Sequence, residues 1–288
     1  MTGWLFIIAC SACSVLIGHL FKITGEEGLE PIHVLTVNYM VAAAFSFGIS
    51  LLNGTFFLSI SHYSVGIGLL ALTTGWLFIA NFFIYSQSVR HNGLGISVAA
   101  MRVSLLIPVL LSAFWYGEQL ATLQWAGIIL VFLILFLLLP GGDGGREGAG
   151  WWHIFPLLLF VLTGFGDSAL KIFEEESSAS LHSSFFMGTV FLSSFLAGRI
   201  WSLKGDRPAI QKDEYLMGLK IGLPNLLTPL FLIGALQQMN GAVVYSSVSI
   251  ITVIGGTLLG ILLWSDRLTI SQGIGLSLSL LAILFLVG

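Results

Sequence analysis

Long stretches of this chain contain no Asp, Glu, Lys or Arg: residues 1–21, 31–89, 119–142, 148–166, 177–198, 221–265 and 268–288. A helix that crosses the hydrocarbon of a bilayer needs about 20 mostly apolar residues. The stretches 31–89 and 221–265 exceed one crossing, so each must turn within itself. Asn53-Gly54-Thr55 and the polar segment to Ser64 break the first, and Gln237-Gln238-Met239-Asn240-Gly241 breaks the second. The pattern predicts ten membrane helices over about 3–21, 32–52, 65–88, 94–116, 120–139, 152–171, 181–202, 214–236, 241–264 and 269–287. A membrane β-barrel would show short alternating segments, whereas these runs are continuous. Composition agrees: 9% of residues are charged, against about 25% in soluble domains. An integral, multi-pass protein of a bacterial inner (plasma) membrane is expected. The net charge is only −3 and no basic cluster stands out, so nucleic acid is not an expected partner. No Lys or Arg precedes the first span, so it lacks the positive flank of a signal peptide. Cys10 and Cys13 have C-x-x-C spacing without a second ligand pair, and are read as small residues packing within a helix. No metal or cofactor is expected.

The chain contains its own duplicate. A shift of 148 positions carries Asn92-Gly93 onto Asn240-Gly241, Leu110-Leu111 onto Leu258-Leu259, Glu118 onto Asp266, Leu120 onto Leu268, Gln124 onto Gln272 and Gly127 onto Gly275. One further residue of shift carries Lys22-Ile23 onto Lys171-Ile172, and Glu26-Glu27 onto Glu175-Glu176. The expected fold class is therefore all-α integral membrane, with ten transmembrane helices as two inverted five-helix repeats, 1–140 and 151–288. Five is odd, so the second copy enters the bilayer from the opposite side, an arrangement that transporters use around a site at the midplane. The glycine-rich run 141–150 between them lacks the Gly-Lys-Ser/Thr ending of a phosphate loop and reads as a linker.

The first copy has a particular frame: a helix containing Pro108, about ten residues, Gly117-Glu118, a short turn, then Gln124-x-x-Gly127 and a leucine-rich helix. This resembles the EamA domain of the drug/metabolite transporter superfamily. The second copy keeps Gln272 and Gly275, with Gly256 in place of Pro108 and Ser265-Asp266 in place of Gly117-Glu118. Lys22 and Lys171 stand where the family often has a lysine. The resemblance covers nearly the whole chain. It implies ten helices around a central cavity lined mainly by the first, third and fourth helices of each copy. It leaves the substrate open, since relatives carry amino acids, sugars, nucleotide sugars, polyamine-like cations and drugs. Many members have an arginine early in the second helix, where this chain has Asn38.

Charged groups inside a span cost about 2.5–3.5 kcal/mol each at the helix centre and suggest function. Arg102 lies eight residues into its predicted span, about 12 Å deep. Its guanidinium suits a carboxylate or phosphate, an anionic group of a substrate; the alternative is a structural partner, Asp167 or carbonyls freed by Pro108. Asp167 corresponds to Gly18 in the repeat, which would bring it near His19. Such a His–Asp pair would suit proton coupling; the alternative is a helix end in water. Asn81, Tyr85 and Gln87 on the third helix, and Asn225, Thr228 and Gln237-Gln238 on the eighth, are candidates to line a cavity. Pro224 and Pro229 free the carbonyls of Lys220 and Asn225 and are expected to kink the eighth helix. Trp76 and Tyr245 are candidate aromatic walls. For each polar residue the competing role is helix–helix hydrogen bonding. Lys22, Lys171, Glu118 and Asp266 sit near predicted span ends and read as interface anchors and turn groups.

Basic residues concentrate in the odd-numbered loops, with Lys171 in an even one. The positive-inside rule then puts both termini outside, whereas the family resemblance puts them in the cytoplasm. The leading functional expectation is a secondary transporter of a small organic metabolite bearing a carboxylate, working by alternating access. Protons or a counter-substrate would drive it, since no nucleotide-binding motif is present. Monomer and homodimer are both compatible with the sequence. A flippase of a lipid or lipid-linked sugar is the alternative. An intramembrane enzyme would need a constellation such as H-E-x-x-H or paired Asp within spans; the six histidines are scattered, so catalysis is not expected, and a scaffold would have no use for inverted duplication.

Overall fold

The computed structural model describes residues 2–92, 94–104, 106–138, 154–177, 181–203 and 209–264, with Ile270, Ile274, Ser277, Leu278, Leu281 and Phe285. The linker 141–150, Asp266, Leu268, Gln272, Gly275 and most of the predicted tenth span lie outside the described residues. In order, the helices are α1 (Thr2–Glu26), α2 (Pro31–Leu52), α3 (Phe56–Ser61), α4 (Val65–Asn92), α5 (Leu94–Val103), α6 (Leu106–Phe114), α7 (Thr122–Leu138), α8 (Phe155–Glu176), α9 (Ser183–Leu203), α10 (Lys212–Leu236) and α11 (Gly241–Trp264). There is no strand among the described residues. Seven stretches of helix there are long and apolar enough to cross a membrane: Thr2–Glu26, Pro31–Leu52, Val65–Val89, Phe155–Glu176, Ser183–Leu203, Lys212–Leu236 and Val243–Trp264.

Local chemistry sets the helix ends. Pro31 begins α2, where its missing N–H costs nothing. Gly54 ends the same helix in the left-handed region, φ +67°, and lets Thr55 N–H reach back to the Ser50 carbonyl at 3.0 Å. The Glu214 carboxylate caps α10 by accepting the Gln211 N–H at 2.8 Å. It also accepts the Glu30 N–H at 3.1 Å and lies 2.8 Å from His33 Nδ1, joining the starts of α10 and α2.

One expectation needs correction. The predicted span 94–116 is interrupted by a turn at Ser104, between α5 and α6, with residue 105 outside the described residues. Pro108 explains the break, because its ring meets the carbonyl four residues back, that of Ser104. A turn takes up this carbonyl, with Ile107 N–H bonding to it at 2.9 Å. Pro224 and Pro229 lie inside α10, which is continuous from Lys212 to Leu236; there Thr228 Oγ1 donates to the Pro224 carbonyl at 2.8 Å. The polar break at 53–64 also contains a helix of its own, α3.

Polarity is inverted relative to a soluble protein. Asn38, Ser46, Thr74, Ser97 and Ser194 are buried, while Leu52, Leu69, Ile129 and Leu262 face outward. An outward apolar surface suits lipid, and interior hydroxyls and amides bond between helices. Ser193 and Ser194 of α9 donate to the carbonyls of Leu72 and Gly75 in α4, at 3.0 and 2.8 Å. Gly75 permits this approach, since a Cβ there would lie 2.5 Å from the Val190 carbonyl oxygen.

The helices pack in matching pairs. α1 lies against α10 and α11; α8 lies against α4, α5 and α6. α2 lies against α10, and α9 against α4. α2 also meets α9, and α5 meets α11. Exchanging α1 with α8, α2 with α9, α4 with α10, and α5–α6 with α11 turns this set of neighbours into itself.

Candidate functional site

A cavity lies among these pairings. Six helices line it. α1 contributes Cys10, Ser14 and Ile17; α4 contributes Phe78, Asn81, Phe82 and Tyr85; α5 contributes Val98, Met101 and Arg102. From the second half, α8 contributes Thr163, Asp167 and Leu170; α10 contributes Asn225, Thr228, Pro229 and Leu232; α11 contributes Tyr245, Val248, Ser249 and Thr252. The spacing within each helix is three or four residues, which puts the side chains on one face. These are the first, third and fourth predicted spans of each half.

The wall is partly wired. Thr163 Oγ1 donates to Asn81 Oδ1 at 2.9 Å, tying α8 to α4. Asn225 Nδ2 donates to the buried Asn38 Oδ1 at 3.1 Å, tying α10 to α2. Tyr245 OH donates to the backbone carbonyl of Asp167 at 3.0 Å, tying α11 to α8. Arg102 and Asp167 both border the cavity, yet no ion pair joins them. Among the described residues neither the guanidinium nor the carboxylate has a hydrogen-bond partner.

The cavity thus brings together Arg102, Asp167, Asn81, Tyr85, Asn225 and Tyr245. His19, Trp76 and Gln238 lie elsewhere. His19 Nδ1 accepts from Trp264 Nε1 at 3.2 Å and is not among the cavity-lining residues; among the described residues no ion pair joins it to Asp167. Trp76 is 57% exposed; it is nine residues from Tyr85, about half a turn out of phase on α4. Gln238 follows the end of α10, donates to the Gly234 carbonyl at 3.2 Å and accepts from Thr2. The sequence reading missed Thr163 and Ser14. A hydroxyl four residues before Asp167 was a usable signal for Thr163, but hydroxyls are common throughout these helices.

Lys171 is not an interface anchor. α8 continues to Glu176, so Lys171 lies within the helix and is 2% exposed. Its Nζ meets Glu118 Oε1 at 2.8 Å, Glu174 Oε2 at 3.1 Å and Glu175 Oε1 at 2.5 Å. Glu118 also accepts the Gly241 N–H at 3.2 Å. It therefore joins the loop after α6 to both α8 and α11. The Lys171 ammonium lies 6.0 Å from the Tyr116 ring. Burial, and after it the nearby Glu176 and Glu175, push the Tyr116 phenol up from its ordinary value. A matching contact occurs elsewhere: Lys22 Nζ lies 5.0 Å from the Trp264 ring. Tyr116 and Trp264 are 148 positions apart, Lys22 and Lys171 149. No group of three His, Cys, Asp or Glu side chains among the described residues is arranged to hold a metal ion.

Residues 1–139 match the family model described as the EamA-like transporter family. With its long apolar helices, the chain is an integral multi-pass membrane protein whose first half carries the EamA-like match. An uncharacterized protein of Haemophilus influenzae is 26% identical over 286 residues, covering 96% of this chain and 95% of its own length. A crystal structure of a protein 15% identical covers 98% of this chain and 96% of that one, with a TM-score of 0.72. This last likeness is one of fold and extends across both halves.

Proposed function

We propose that the chain is a secondary transporter of a small organic metabolite with a carboxylate, and that Arg102 holds that carboxylate. The observation that carries this reading is a cavity lined by three helices from each half and holding an arginine without a hydrogen-bond partner among the described residues. Such a cavity can bind solute in water and release it elsewhere if its two ends open in turn.

The proposed architecture is two five-helix repeats, 1–140 and 151–288, inverted in the membrane and joined by 141–150. Two features support it: the exchange of helix neighbours onto one another, and the paired contacts of Lys22 with Trp264 and Lys171 with Tyr116. Alternate making and breaking of such paired closures gives alternating access. A gradient of protons, or exchange against a second solute, supplies the drive.

Counterflow tests this. Purified protein in liposomes loaded with one unlabelled solute at a time accumulates the same solute in labelled form, without ATP, for at least one member of a panel of carboxylates, amino acids and sugars. Arg102→Ala abolishes the accumulation, while Arg102→Lys retains part of it, because lysine keeps the charge but not the bidentate fork. Lipid scrambling without solute movement would overturn the reading in favour of a flippase, and uptake undiminished in a folded Arg102→Ala would remove Arg102 from the site.

A further inference from the structure

Arg102 and Asp167 stand in the same cavity with opposite charge and no bond between them. Among the described residues neither charged group has a hydrogen-bond or ion-pair partner. This is an unusual way to place two charges in a lipid-embedded bundle. Charges taken out of water are normally paired, since each left unpaired costs several kcal/mol in desolvation. The nearby Lys171 cluster shows the ordinary solution, with one cation meeting three carboxylates at 2.5–3.1 Å. Arg102 and Asp167 are close enough to feel each other's charge but share no ion pair, which leaves both charged groups open to a ligand in one space.

The elements around them are anchored. Asp167 is on α8, whose backbone at this residue is anchored by Tyr245 OH from α11. One turn earlier, Thr163 is bonded to Asn81 of α4. Arg102 comes from α5, at the end of the helix that Pro108 separates from α6. The same cavity wall has an apolar and aromatic part, with Phe78, Phe82, Leu162, Leu170 and Leu232.

We infer that the cavity takes a small zwitterion, its carboxylate on Arg102 and its ammonium on Asp167, with an apolar body against the aromatic wall. This inference rests on the transport reading above and sharpens its substrate class. Asp167 is then the residue that separates zwitterions from plain carboxylates. A carboxylate without an ammonium leaves Asp167 unanswered, and an amine without a carboxylate leaves Arg102 unanswered. Each failure carries the penalty of an unpaired charge in a water-poor site.

The test uses three matched triads in counterflow with the purified full-length protein in liposomes: alanine, propanoate and ethylamine; leucine, 4-methylpentanoate and isopentylamine; phenylalanine, 3-phenylpropanoate and phenethylamine. In at least one triad the zwitterion accumulates at least about tenfold more effectively than either partner, the effect of losing one charge-assisted hydrogen bond. Asp167→Asn, which is nearly isosteric, removes that preference, and Asp167→Glu retains it; size-exclusion profiles and helical circular dichroism confirm that both variants fold. If the plain carboxylate matches the zwitterion in every triad that moves, the inference is overturned while the transporter reading stands. Movement of none of the nine compounds, with transport of some other solute from the broader panel, also overturns it. A preference unchanged in Asp167→Asn overturns the role given to Asp167.

Discussion

Hydrogen bonding divides the polar residues around the cavity into two kinds. Asn81, Asn225 and Tyr245 line the space but also bond across helices, to Thr163, Asn38 and the Asp167 carbonyl. Arg102 and Asp167 line it without such bonds among the described residues. Asn225→Leu is therefore expected to act through stability: it leaves the buried Asn38 oxygen without its donor, at a cost of about 1–3 kcal/mol. The measurement is thermal unfolding of the detergent-solubilised protein, and an unchanged melting temperature would count against a structural role for this pair. Substitutions at Arg102 and Asp167 belong to the other class and should alter solute selectivity with little change in melting temperature. This division was only half legible in the sequence. Charge in a charge-free span drew attention to both residues, and helical spacing aligned Asn81 with Tyr85. Which amides were already satisfied depended on pairings 82 and 187 positions apart, and no local pattern records these.

The helices themselves were the most legible level, since a bilayer sets their minimum length. The errors came from side chains acting on backbone or on partners far along the chain. Pro108 accompanies a turn at Ser104 within one expected span, whereas Pro224 and Pro229 lie inside a continuous α10. Lys171 lay inside α8 because Glu174 and Glu175, one turn on, and Glu118 from the other half, neutralise it. Close helix crossings offer the cleanest test at this scale. Gly75→Ala puts a methyl against the backbone of α9, an overpacking expected to cost about 1–3 kcal/mol. Gly25→Ala, with nothing within 4 Å of the added carbon, is the control and is expected to be neutral or slightly stabilising. Equal melting temperatures for the two variants would contradict the described contact between α4 and α9. Lys171→Met leaves Glu118, Glu174 and Glu175 together without their cation, and breaking a buried ion pair of this kind costs about 3–5 kcal/mol; heat-induced aggregation followed by fluorescence-detected chromatography measures it.

At the scale of the molecule, the internal duplication links the sequence to the proposed mechanism. The proposed repeat rests on a register of weak identities, and the helix neighbours exchange under the matching pairs of helices. The two lysine–aromatic contacts follow it as well, Lys22 with Trp264 and Lys171 with Tyr116. The sequence could not reveal that Glu118 reaches both Lys171 and the Gly241 N–H, because the join is made by folding. In the proposed cycle these contacts close opposite ends of one cavity in turn. Cys10 lines that cavity, and Cys13 is the only other cysteine of the chain. With Cys13→Ser, Cys10 becomes a single native reporter at the centre. The decisive measurement is labelling of Cys10 by a membrane-impermeant methanethiosulfonate, applied separately to right-side-out and inside-out vesicles. The account predicts labelling from both faces, with Glu118→Gln increasing it from the face that the Lys171 contact closes. Labelling from one face alone, or from neither in a folded protein, would contradict alternating access to this cavity.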